Sequence, residues 1–210
     1  MTFKKISLTL CLLVFVCLPG TVSASSQPFS LLSKPVAEAP EVVEFFSFYC
    51  APCFRFAGDY PVIDKINQSL PQGQKVAKYH ISAMGKLGHE LSEAWAVATV
   101  MGIADKVEKP LFIAVQRDHS LHSADDIKVI FQQAGVNPAQ YDSARHSLLV
   151  HAFVARQQAL ADAFRVTSTP SVYVKGRYLI NNAEIKADSP DQFVATFAAL
   201  VNKLRKKEAG

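Results

Sequence analysis

Glu41-Val42-Val43-Glu44-Phe45-Phe46-Ser47-Phe48 is a near-continuous apolar run, the pattern of a strand buried on both faces of a central sheet. Glu44 interrupts it. After Cys53 the period changes, with Phe54, Phe56, Tyr60, Ile63 and Ile66 recurring at helical spacing. Gly58 and Pro61 lie inside that pattern and predict a bend or break near Asp59-Tyr60. Leu70-Pro71-Gln72-Gly73 forms a turn, and Lys75 to Ile81 reads as a second strand. Strand, helix and strand at this spacing make one βαβ unit. Upstream, Pro28, Pro35 and Pro40 mark residues 25–40 as an arm or edge strand leading in.

From Ala83 to Ala155 the strand signal disappears. Leu91, Ala94, Trp95, Ala98, Val100 and Met101 define an alanine-rich amphipathic helix, and Val107 to Phe112, with Pro110, marks a break and a new start. Ser123-Ala124-Asp125-Asp126 has the composition of a helix N-terminus, and Gly135 that of a C-cap before Asn137-Pro138. One long helical stretch then opens at Pro138 and runs through Leu148, Leu149, Phe153, Leu160 and Phe164. Strands return at Ser171–Val174 and Arg177–Ile180, joined through Lys175-Gly176 as a β-hairpin. Pro190-Asp191-Gln192 opens a final helix. This order predicts an α/β fold split by an all-helical insertion.

Composition narrows the setting. Lys4 and Lys5 precede an uncharged apolar run from Ile6 to Leu18, then Pro19-Gly20 and the small residues Val22-Ser23-Ala24. That pattern predicts a secretory signal over residues 1–24, cleaved after Ala24. The apolar run is short of the roughly 20 residues a spanning helix needs. Of four cysteines, Cys11 and Cys17 would leave with the signal, and Cys50 and Cys53 would remain in an oxidising compartment. A formal charge of +4 with no basic cluster beyond Lys203–Lys207 argues against nucleic-acid binding.

Attention therefore falls on Cys50-Ala51-Pro52-Cys53, a Cys-x-x-Cys where a strand gives way to a helix. Cys50 would sit at the helix N-terminus, where unpaired N–H groups and the helix dipole favour a thiolate. A stabilised thiolate is a good leaving group, so such a disulfide oxidises others. Cys53, one turn in, would be the less exposed resolving thiol. The alternatives are a zinc half-site and an inert crosslink. Zinc wants four ligands, and His119 and His122 are the only further donors at suggestive spacing. A two-residue loop restrains the unfolded chain little, so a structural disulfide would add little. No metal and no cofactor are expected. His80, His89, His146 and His151 have no evident partners and are read as structural or surface residues.

The stretch from Glu44 to Cys53 resembles the active-site strand of the DsbA family of periplasmic thiol:disulfide interchange proteins, within the thioredoxin superfamily. The resemblance continues through Lys78-Tyr79-His80, Ala94 to Ala98, Asp105-Lys106-Val107, Pro110-Leu111-Phe112, Thr169-Pro170 and Val174 to Tyr178. It implies a discontinuous thioredoxin domain over residues 25–82 and 158–210, with a helical insert over 83–157. It also implies a periplasmic monomer that donates disulfides to unfolded or partly folded exported proteins and is re-oxidised by a DsbB-like membrane partner. Thr169-Pro170 resembles the cis-proline loop that faces the cysteines and binds substrate. Glu44 matches a buried acid that the family pairs with a lysine, here Lys78, and that tunes or shuttles the Cys53 proton. The best-known members carry Pro-His between their cysteines; Ala51-Pro52 lacks the histidine and implies a weaker oxidant. Members often have an acid just after the second cysteine, where this chain has Phe54-Arg55-Phe56-Ala57. Competing functions are a reductase or isomerase, and a peptide-binding chaperone with vestigial cysteines. The short stretch before Glu41 leaves no room for the dimerisation module an isomerase needs.

Overall fold

β-Branched and aromatic residues place five strands in one sheet: β1 (Phe29–Leu31), β2 (Val42–Phe46), β3 (Ala77–His80), β4 (Ser171–Val174) and β5 (Tyr178–Ile180). The order is β1-β5-β4-β2-β3, with β2 parallel to β3 and every other pair antiparallel. The computed structural model describes residues 27–207. The expected signal over 1–24, with Cys11 and Cys17, lies outside them.

Central position explains why β2 is apolar at every position but Glu44: all five of its residues are buried. Its two faces serve different cores, as the period-2 alternation of a strand requires. Val43 and Phe45 point to a cluster with Tyr79, Tyr173, Leu160 and Phe164. Val42 and Phe46 point the other way, Val42 to a core that holds Phe56, Val62 and Phe197. Phe46 joins a third cluster containing Phe48, both active-motif cysteines, Trp95 and Phe112. Glu44 shares the Val42 and Phe46 face.

Eight α-helices and one 3₁₀ turn (Asn182–Glu184) complete the described residues: α1 (Ala51–Ala57), α2 (Val62–Asn67), α3 (Gly88–Val100), α4 (Ala104–Gln116), α5 (Ala124–Gln133), α6 (Pro138–Arg145), α7 (Leu148–Ala163) and α8 (Pro190–Lys206). The expected disruption near Asp59-Tyr60 is a full break, between α1 and α2. The hairpin turn has positive φ at both central residues, Lys175 (54°) and Gly176 (62°), as its type I′ geometry demands. A Cβ at Gly176 would collide with the carbonyl of Val36, whose N–H pairs with Gly176 O at 2.8 Å.

Three helix expectations need correction. Val107 to Phe112 is not a break: α4 runs through Pro110. Val107, Leu111, Phe112, Ala114 and Val115 are all buried along it, and that packing outweighs the proline's lost hydrogen bond. The long helix expected from Pro138 is two helices, because Ser147 caps α7 by accepting from the Val150 N–H. Helix α3 is buried from Leu91 to Ala98 on nearly every side rather than on one stripe, since alanines let neighbours approach all round. The expected insert boundary at residue 157 falls inside α7, whose Phe153 and Gln157 contact Tyr79 and His80 of the sheet.

Candidate active site

Strand β2 ends at Phe46, and a short turn over Ser47-Phe48-Tyr49 delivers Cys50 to the N-cap of α1. Both backbone groups of Phe48 are held by side chains from elsewhere. Its N–H donates to His80 Nε2 at 3.1 Å, and its carbonyl accepts from Gln116 Nε2 at 2.7 Å. With Nε2 an acceptor, the neutral ring carries its proton on Nδ1, 2.7 Å from Ser92 Oγ. Burial lowers the His80 pKa to about 3, so the ring stays in this neutral form. Tyr49 is clamped too: its hydroxyl accepts from the Leu87 N–H at 3.2 Å, and its ring fills the space a side chain at Gly85 would need.

Cys50 and Cys53 are joined as a disulfide with Cα atoms 5.2 Å apart. Cys50 is 4 % exposed and Cys53 1 % exposed. The Cys53 N–H points at Cys50 Sγ, 3.2 Å away, so a charge on that sulfur would be met by a backbone donor. Ala51 and Pro52 are exposed, and proline suits this first turn because its missing N–H has no helical partner there. Opposite, the Thr169–Pro170 bond is cis, and Thr169 O lies 3.3 Å from Cys50 Sγ. With the disulfide closed that sulfur has no proton, so this is a contact; the reduced thiol could donate to the carbonyl. Met84 and Thr169 meet across the same surface.

Glu44 and Lys78 are register partners on β2 and β3. Glu44 is 1 % exposed, and its Oε2 lies 3.0 Å from Lys78 Nζ without hydrogen-bond alignment. A third member carries no signal in the sequence: Glu108 of α4 accepts a short hydrogen bond from the same ammonium. Burial raises the Glu44 pKa; Lys78 pulls it down, and Glu108 pushes it up further. For Lys78, burial alone would lower the value, but the two carboxylates outweigh it and raise it. One cation thus serves two acids, and the buried one binds a proton more tightly than an exposed glutamate does. The ammonium also lies 5.0 Å from the Phe46 ring centre. His119 and His122 take no part in this constellation, and no group of three metal-ligating side chains occurs among the described residues.

Because Glu44 binds its proton more tightly folded than unfolded, its contribution to stability is full below 4.5, the ordinary value for an exposed glutamate. That contribution is lost as pH rises through the folded value. Glu44→Gln is therefore expected to stabilise the protein at neutral pH, by about 1 kcal/mol. Urea unfolding at several pH values checks this: the gap between variant and parent should widen as pH rises and vanish in acid.

A sheet interrupted by helices, with a Cys-x-x-Cys at a helix N-terminus facing a cis-proline, defines a thioredoxin-type redox protein. Residues 41–198 match the DSBA-like thioredoxin domain, and the chain belongs to that family of thiol:disulfide oxidoreductases. The thiol:disulfide interchange protein DsbA of Salmonella typhimurium is 41 % identical over 207 residues, covering 98 % of this chain and all of the relative. The crystal structure of DsbA from Klebsiella pneumoniae is 42 % identical and superposes with a TM-score of 0.83, over 85 % of this chain and 95 % of that one. Proteus mirabilis DsbA, in a cysteine-to-serine variant with the non-covalently bound peptide PWATCDS, is 39 % identical with a TM-score of 0.83, over 86 % and 96 %. No helix among the described residues is long and apolar enough to cross a membrane.

Proposed function

We propose that this enzyme oxidises cysteine pairs in unfolded or partly folded exported proteins in the periplasm. A client thiolate attacks Cys50 Sγ; the Cys50–Cys53 bond breaks and its electron pair leaves on Cys53, which takes up a proton. A second client thiolate then attacks the client sulfur of the mixed disulfide and expels Cys50 as a thiolate. The client has lost two electrons and two protons, and the enzyme holds a dithiol. A DsbB-like membrane oxidase restores the disulfide.

The observation that carries this reading is the placement of Cys50 Sγ between the Cys53 N–H and Thr169 O. The first stabilises the leaving thiolate. The second lies on the segment where an extended client would run, since Thr169 precedes β4 and its backbone borders the cleft. That the Proteus relative binds a peptide supports client capture by this chain. A cleft of about 420 Å³ beside Pro52, floored by Phe56, Tyr60 and Phe193, offers room for apolar side chains flanking the client cysteine. In this reading Glu44 and Lys78 handle the Cys53 proton, and Ala51-Pro52 sets how oxidising the pair is.

Without a histidine in the motif, the Cys50 thiolate loses one stabiliser. Reactive thiols in this superfamily run from a pKa of about 3.5 in DsbA to about 7 in thioredoxin. Cys50 is expected between these limits, with a reduction potential between about −120 and −270 mV. Equilibration with glutathione and alkylation of Cys50 against pH measure both. A potential as low as thioredoxin's would reverse the direction of electron flow and favour a reductase. A pKa as low as DsbA's would sink the weaker-oxidant expectation alone.

A further inference from the structure

Cys53 is 1 % exposed, so a proton that it gains or loses must cross protein to reach water. Helix α1 supplies the direction. Ala57 stands one turn beyond Cys53 on the same helix face. It lines a cavity of about 550 Å³ together with Lys78 and Glu108, ample for several waters beside polar partners. The cavity also borders Trp95, whose indole donates to the Lys78 carbonyl at 2.9 Å.

The charged cluster is graded from inside to outside. Glu44 is 1 % exposed, Lys78 14 % and Glu108 17 %. Glu44 faces the same side of the sheet as Val42 and Phe46, the side α1 covers. Two carboxylates share one ammonium, which leaves one carboxylate free to hold an exchangeable proton. The other charged groups around the cavity are Asp64 of α2, Lys75 ahead of β3, and Asp105 and Lys109 of α4. Lys75 and Asp105 pair with each other at 3.4 Å and are largely exposed, so they form the mouth.

We propose that Glu108 is the outlet of a proton path serving Cys53, relaying protons between the Glu44–Lys78 pair and the water in the cavity that Ala57 opens. This rests on the reading that Glu44 handles the Cys53 proton. When a client thiolate breaks the Cys50–Cys53 bond, the electron pair on Cys53 takes the proton held by Glu44. Glu44 is re-protonated through Lys78 and Glu108 from solvent, which received the proton the client thiol released. Re-oxidation runs the path outward. Glu108 touches neither sulfur and acts as a positioning residue through Lys78. Its carboxylate stands on α4, so the path needs no acid on α1 after Cys53.

The test is single-turnover oxidation of a dithiol peptide by the full chain, acid-quenched and alkylated at intervals from about pH 4 to 8. Glu108→Gln is expected to slow the step roughly three- to tenfold at neutral pH, with its pH profile displaced. Glu108→Asp should recover most of the rate. Ala57→Leu, which fills the cavity and changes no charge, should slow the step while leaving the Glu44–Lys78 pair in place. Glu108→Gln with an unchanged rate and profile overturns the proposal if Glu44→Gln is slow. If Glu44→Gln is also unaffected, the reading beneath it fails as well. Should Glu108→Gln unfold, judged by Trp95 fluorescence, Ala57→Leu decides: parental kinetics overturn the path, slowed kinetics uphold it.

Discussion

Cys50→Ser abolishes disulfide transfer in the expected result, by a factor on the order of 10³ or more, with the fold retained. The asymmetry between the cysteines makes this prediction specific. Cys50 caps α1, where its sulfur meets the Cys53 N–H and borders the Thr169 carbonyl, beside the exposed Ala51 and Pro52. Cys53 sits one turn inside the helix and is 1 % exposed against 4 % for Cys50, both packed in the cluster with Phe46, Trp95 and Phe112. Serine at Cys50 leaves a lone buried thiol that no client can reach. Serine at Cys53 leaves the reactive thiol but removes the resolving one, so a mixed disulfide with client should accumulate. Oxidation of a dithiol peptide, followed by mass analysis for trapped adducts, separates the two. The structural cost is small in either case, because the closed loop is only two residues long. A Cys50→Ser protein that still supports the biological task would overturn redox chemistry as the function and return weight to a peptide-binding chaperone.

Much of this site is legible in the sequence because it is local. Cys50, Pro52 and Cys53 share one helical turn, and the apolar run before them has the composition of a central strand. Glu44 stands out as an acid in that run, and family resemblance supplies its register partner Lys78. What stays hidden depends on elements that meet only in space. Glu108 is 30 residues from Lys78, in a segment whose proline suggests a break. Nothing in Val107-Glu108-Lys109 distinguishes it from a solvated surface acid. The same holds for His80, whose partners Phe48, Ser92 and Gln157 come from a turn and two distant helices. The sequence offers one faint signal, a histidine at the end of an apolar strand. The division between α6 and α7 is legible in principle, since Ser147 precedes an apolar run as N-caps do. Continuous helical periodicity across the junction masks it.

His80→Gln should flatten the acid limb of the stability curve, and the size of that limb follows from burial. In the fold the ring is neutral with a pKa lowered to about 3, against 6.5 for an exposed histidine. The unfolded chain therefore binds the proton more readily. Stability contributed by the neutral ring is complete above about pH 6.5 and is lost as pH falls toward 3, by up to about 1.4 kcal/mol per pH unit. Near pH 4 the loss reaches on the order of 3 kcal/mol, a large share of a domain's net stability. Glu44 acts with the opposite sign in acid, so the parent's own curve understates the histidine. The difference between parent and His80→Gln isolates it. Glutamine can still accept from the Phe48 N–H but does not titrate, so it should cost some stability at neutral pH and converge on the parent as pH falls. Urea unfolding at about pH 7.5, 6, 5 and 4 measures this; parallel curves would mean that His80 is not held neutral. Protonation also converts Nε2 from acceptor to donor, opposite the Phe48 N–H it holds. The turn that delivers Cys50 to α1 then loses an anchor, so disulfide transfer should fail in acid along the same limb as the fold.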